Sequence, residues 1–155
     1  MEVEIVNKLI DKKQTISSME SCTGGFFANT ITNVDGSSNV FKYSAVTYSN
    51  EYKIKMGVKK QTIDKYSVYS FEVSREMAKC ISDYSNSDYG IGITGMINRF
   101  DEFNPGGVKN EIYTTIYIRK SGKYIDEKII VPNLARQECK KHIVNKVLSV
   151  LNGII

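Results

Sequence analysis

The stretch Ser18–Phe27, SMESCTGGFF, decides how the rest of the chain is read. It closes a short run, QTISSM (14–19), in which Thr15 and Ile16 are β-branched. It then opens GGFFANTITNV (24–34), whose composition suits a helix stopped at the Asp35–Gly36 turn signal. Where a strand passes straight into a helix, the first amides have no intrahelical partner and the macrodipole adds partial positive charge. Glycines let an anion approach such a backbone closely. An acid, a serine, a cysteine and a threonine at this junction admit two readings. One is a tight capping turn of small residues; the other is a place where a nucleophilic serine and backbone amides meet a substrate. The spacing matches neither the phosphate loop ending in GKS or GKT nor the GxSxG turn of hydrolases.

Working outward, Val3, Val6, Leu9 and Ile10 recur at helical spacing and predict a helix over about 2–13. YSAVTYS (43–49) is β-rich, and Asn50 is placed to cap a short helix, NEYKIKM, ended by Gly57. Ser70 reads as a second N-cap, before a stripe of Val73, Met77, Ile81 and Tyr84. YGIGITGM (89–96) reads as a buried strand bearing glycines. EIYTTIYIRKSGKYIDEKIIV splits at Ser121–Gly122 into a hairpin. Asn133 is placed to cap a closing helix with Val144, Val147, Leu148 and Leu151 inside. The alternation predicts an α/β fold: a three-layer α/β/α domain with a mixed, mainly parallel sheet and at least one antiparallel hairpin, as a single domain over 1–155.

Composition narrows the classes. Hydrophobic residues at 41% and charged residues at 25% are ordinary globular values, which argues against wholesale disorder. The net charge of +4 comes from lysines interspersed with acids, so no basic block points to nucleic acid. No apolar stretch approaches the roughly 20 residues that span a bilayer, and MEVEIVNKLIDKK lacks the pattern of a signal peptide. Cys22, Cys80 and Cys139 are odd in number and far apart, which gives no disulfide framework and points to a reducing cytoplasm. With His142 as the one histidine, no zinc-ligand pattern exists.

Candidate chemistry gathers at three strand ends. Ser21 is the candidate nucleophile, with Cys22 its rival. TYSNEYK (47–53) puts Asn50 and Lys53 one helical turn apart at the next strand-to-helix junction. A lysine there is a general base if burial or nearby positive charge lowers its pKa, and otherwise an exposed surface residue. Thr94–Gly95 ends a third strand, and strand ends in open α/β sheets line ligand crevices.

These segments, taken in order, resemble the C-terminal domain of CinA, the competence- and damage-inducible protein family. The carrying residues are ESCTGG (20–25), Gly36 to Phe41, VTYSNEYKIKMGV (46–58), VSREMA (73–78) and GIGITG (90–95). The resemblance implies an amidohydrolase, working without metal or cofactor, that converts nicotinamide mononucleotide to nicotinic acid mononucleotide and ammonia. It further implies Ser21 as nucleophile and Lys53 as general base, with Thr23, Gly24 and Gly25 supplying amides. Tyr48, Ser49 and Asn50 would position the substrate, Thr94 and Gly95 would wall the pocket, and Arg99 or Arg136 would meet the substrate phosphate. A cytoplasmic homodimer whose partner is a small pyridine nucleotide, with neither nucleic acid nor membrane, completes the expectation. The chain departs from the family pattern at YSVYS (66–70), in the loop after Gly95, at Ile112–Thr114 and at Lys140, which takes the place of a second arginine. The alternative is a catalytically silent nucleotide-binding module of the same family.

Overall fold

The apolar runs resolve into five strands of one sheet in a computed structural model that describes residues 1–155. They are β1 (Ile16–Glu20), β2 (Phe41–Val46), β3 (Tyr89–Gly95), β4 (Glu111–Ile118) and β5 (Lys123–Ile130), in the spatial order β2-β1-β3-β4-β5. β1 pairs in parallel with β2 and β3, whereas β4 is antiparallel to both β3 and β5. Four strands therefore run one way and β4 alone runs against them. The β4–β5 hairpin turns where the sequence breaks, with Gly122 at a φ of 66°.

Six helices cover the two faces: α1 (Glu2–Lys12), α2 (Phe26–Thr32), α3 (Asn50–Lys55), α4 (Lys60–Tyr66), α5 (Phe71–Ser85) and α6 (Arg136–Ile154). Strand alternation sorts the side chains between them. Ile16, Ile91, Ile93, Ile112 and Ile116 face one core with Val6 and Leu9 of α1, Phe27 of α2 and Val144, Val147, Leu148 and Leu151 of α6. Met19 and Ala45 face a smaller core with Ile63 of α4 and Val73, Met77 and Ile81 of α5. Each fully buried large side chain contributes roughly 1.5–3 kcal/mol. This is the three-layer arrangement. The carboxyl end of β1 leads into α2, whereas that of β3 leads into the 96–110 loop that returns as the antiparallel β4, and a crevice opens where the two exits part.

Two glycines explain how tightly α5 lies on the sheet. A Cβ on Gly90 would stand 1.9 Å from the carbonyl oxygen of Ala78, and one on Gly92 would stand 2.2 Å from that of Ser74. Small polar residues continue this contact, with hydroxyl pairs Ser74–Thr115 at 2.7 Å and Ser17–Ser85 at 2.6 Å.

Several local expectations shift. Ile5, not Val3, completes the inner stripe of α1; Val3 is 54% exposed. Tyr84 points outward and packs on Tyr43. Ser49, not Asn50, caps α3 by accepting from the amide of Tyr52, since its side chain sits one residue earlier in extended backbone. Asn133 caps nothing: α6 starts at Arg136 after an uncapped Ala135. α4 has a single buried apolar residue, Ile63, too few to give a periodic signal. Ser70 does cap α5, accepting from the amide of Val73.

Gly90→Ala forces α5 off the sheet and is expected to lower stability by about 1–3 kcal/mol, read as a lower urea midpoint with an unchanged slope.

Candidate active site

The junction after β1 is organised by a residue to which the sequence reading assigned no role. Glu20 ends β1 with its carboxylate fully buried. Its Oε2 accepts from Thr23 Oγ1 at 2.6 Å, Phe27 N at 3.1 Å and Gly25 N at 3.2 Å, and its Oε1 accepts from Ala28 N at 3.0 Å. The carboxylate thus does for α2 what a capping side chain does elsewhere, and α2 has no other side-chain cap. The chain can bend around it because Gly24 and Gly25 take φ values of 61° and 93°. The readable signal was a helix start with neither Ser, Thr, Asp nor Asn at its cap and an acid five residues upstream.

Within this bend, Ser21 N donates to Ile93 O of β3, which fixes the serine beside the crevice. Gly24 N turns back to Ser21 O. The amides of Cys22 and Thr23 donate to no protein acceptor. Lys53, projecting from α3, is 1% exposed, and its Nζ donates to Ser21 Oγ at 3.0 Å and to the carbonyl of Thr47 at 2.8 Å. Thr47 Oγ1 is the one buried side-chain oxygen left without a partner. Burial pulls the Lys53 pKa down to about 8, while Cys22 and the negative charge of Asp101 limit the fall. Burial pushes the Cys22 thiol up to about 12, so it remains a thiol at neutral pH and is a poor rival to Ser21.

A cavity of about 310 Å³ opens over this pair. Of the residues expected there, Ser21, Tyr48, Asn50, Lys53, Thr94, Gly95 and Arg136 line it. Thr23, Gly24, Gly25 and Ser49 do not: Thr23 and Gly25 are bound to Glu20, Gly24 to Ser21, and Ser49 caps α3. Arg136 opens α6 and donates to Ile97 O and to the Tyr48 hydroxyl, both at 2.9 Å. It and the exposed Arg99 form no ion pair, although both line the cavity, so two guanidinium charges face its opening without a carboxylate partner. The remaining wall, from Val68 and Tyr69 through Phe100, Asp101 and Asn104, lay outside the expected set. Its members come together only through long-range contacts, which no local pattern announces. No group of three or more His, Cys, Asp or Glu side chains converges as metal ligands, and no helix is long and apolar enough to cross a membrane.

The family model described as the CinA C-terminal domain matches residues 1–155. A Clostridium perfringens protein bearing a provisional competence-damage inducible name is 48% identical over 110 residues, covering 70% of this chain and 25% of that protein. A CinA-like protein of Endomicrobium trichonymphae is 38% identical over 145 residues, covering 92% of this chain and 33% of its own. The chain thus spans a quarter to a third of the length of these curated relatives. Among solved structures, the competence damage-inducible protein A (ComA) of Klebsiella pneumoniae superposes with a TM-score of 0.91 at 21% identity, covering 99% of this chain and 93% of that one. The competence/damage inducible protein CihA of Agrobacterium tumefaciens gives 0.81 at 25%, covering 98% and 96%.

Two outcomes test the electrostatics. Glu20→Gln keeps the shape but turns one acceptor into a donor facing donors, and is expected to lower stability by about 2–3 kcal/mol in chemical denaturation. Lys53→Met removes a buried charge. Below pH 8 the native lysine carries its full burial cost; between pH 8 and 10.5 the folded protein releases the proton before the unfolded chain does, so the parent gains stability as pH rises. The difference in unfolding free energy, Met variant minus parent, is therefore expected to fall by about 3 kcal/mol between pH 7 and 10.5.

Proposed function

Because the chain belongs to the CinA C-terminal domain family, we propose that it hydrolyses the carboxamide of nicotinamide mononucleotide to nicotinic acid mononucleotide and ammonia. The observation that carries this reading is the 3.0 Å contact between Ser21 Oγ and a buried Lys53 whose pKa lies near 8. An ammonium that has lost its proton so close to a serine is a general base in place. A module that only binds nucleotide has no use for that burial cost.

In this mechanism the neutral Lys53 amine takes the Ser21 proton as Oγ attacks the carboxamide carbon. The oxyanion that forms is met by the amide of Cys22, which lines the cavity and donates to no protein acceptor. Collapse of the tetrahedral intermediate breaks the carbon–nitrogen bond. Lys53 returns its proton to the departing nitrogen, which leaves as ammonia, and the substrate acyl group remains on Ser21 as an ester. Water, deprotonated by Lys53, then attacks the ester and releases the acid product while Ser21 regains its proton. Thr47 O holds the lysine on line throughout. Arg136 and Arg99 are the groups suited to the substrate phosphate.

The test is ammonia release from nicotinamide mononucleotide, with nicotinamide riboside as the phosphate-free control. Turnover is expected with the mononucleotide and to be much weaker with the riboside. Ser21→Ala and Lys53→Met should each lower kcat by about 10²–10⁴. Since the base form is the active one, kcat/KM should rise about tenfold per pH unit below pH 8 and level off above it. Ligand binding by the parent without ammonia release would favour the silent module instead.

A further inference from the structure

Three aromatic side chains line the cavity, and they are not equivalent. Phe100 is 71% exposed, with the Lys109 ammonium 5.9 Å from its ring centre. Tyr48 is 61% exposed, and its hydroxyl accepts from Arg136. Tyr69 is half-buried and immobilised at several points. Its hydroxyl donates to Asp101 Oδ2 at 2.6 Å, and its amide donates to Ser67 Oγ. The preceding carbonyl, Val68 O, accepts from Thr94 Oγ1 at the end of β3.

One side of the Tyr69 ring is closed off by the backbone of Gly107. A Cβ there would stand 2.4 Å from Tyr69 Cδ2 and 2.7 Å from Met96 Cε, so only glycine lets the loop lie flush on the ring. Asp101 is itself committed. Its Oδ2 also accepts from Asn104 Nδ2 at 2.6 Å and its Oδ1 from the Phe103 amide, while Asn104 Oδ1 accepts from Asn50 at the start of α3. With its oxygens engaged inside the protein, Asp101 holds the tyrosine and is not free to hold a ligand. Burial, with Asp101 assisting, raises the pKa of the phenol and keeps it a donor.

We propose that Tyr69 determines specificity in this site: its ring, pinned by the positioning residue Asp101, is the platform against which a flat aromatic amide lies while Ser21 attacks. The proposal rests on the amidase reading of the same cavity and extends it to how the aromatic part of the substrate is chosen. A ring already fixed loses no rotamer freedom on binding, so the whole gain of an aromatic contact goes into affinity. Tyr48 and Phe100, exposed at the rim, lack that advantage.

The test separates binding from turnover. Calorimetric titrations are made in the Ser21→Ala background with nicotinamide mononucleotide and with ribose 5-phosphate, which shares the phosphate and sugar but has no ring. Adding Tyr69→Leu is expected to weaken the mononucleotide about tenfold and leave ribose 5-phosphate within twofold. Asp101→Ala and Tyr69→Phe, which keep the ring but release it, should each weaken the mononucleotide several-fold with the same selectivity. They carry the test if the leucine variant does not fold by circular dichroism. Equal weakening of both ligands, no loss for the mononucleotide, or no binding of the mononucleotide by the Ser21→Ala protein overturns the platform. The same Tyr69 substitutions with Ser21 intact distinguish the two readings. Ammonia release with a KM indifferent to Tyr69 sinks the platform and leaves the amidase. Ring-selective binding without ammonia release from the parent does the reverse.

Discussion

Glu20 places a carboxylate with no solvent exposure at the end of β1 and surrounds it with four donors from the next eight residues. A buried carboxylate is tolerable only when its lone pairs are satisfied. Here the satisfaction is supplied by the start of α2, so the chain must double back around the carboxylate as soon as β1 ends. That requirement fixes the positive φ of Gly24 and Gly25 and the tether from Ser21 N to β3, and it leaves the Cys22 amide at the cavity wall without a protein acceptor. The negative end of the junction is internal. What lines the cavity is the Ser21 hydroxyl, with Cys22 beside it.

Lys53 is the second buried charge, and it is placed at a net loss. Its amine has two protein partners, neither of them a carboxylate, and the carboxylate that bears on it belongs to a loop residue, Asp101. Stability alone would favour an apolar side chain at this position. With a pKa near 8, roughly a tenth of the lysine is neutral at pH 7. The fold thus gives up stability to hold beside the serine a lysine that is in small part neutral at pH 7.

The layered architecture was legible because it rests on periodicity: the stripes of α5 and α6 and the hairpin break at Ser121–Gly122 appear where the spacing puts them. Ser21, Lys53 and Thr94 were legible because successive parallel strands deliver their carboxyl ends to one edge of the sheet. Glu20 was not, since an acid after ISSM reads as an ordinary strand end unless one asks what caps the next helix. The Tyr69–Asp101–Asn104–Asn50 chain was invisible for a different reason: its members span 54 positions, and each looks like loop composition. Yet YSVYS and the loop after Gly95, two of the segments read as departures from the family pattern, bind each other in space. Two separate irregularities in the sequence are one feature of the molecule.

Arg136 occupies the first turn of α6, and no side chain caps that helix. A cation there adds to the positive pole of the macrodipole and works against Glu138, the acid of the same turn, so the start of the longest helix holds charges of both signs. An anion at Arg136 would side with Glu138. An anion in the cavity would thereby be coupled to the docking of a helix that supplies six buried residues to the main core. One guanidinium would join what enters the cavity to what holds the core together.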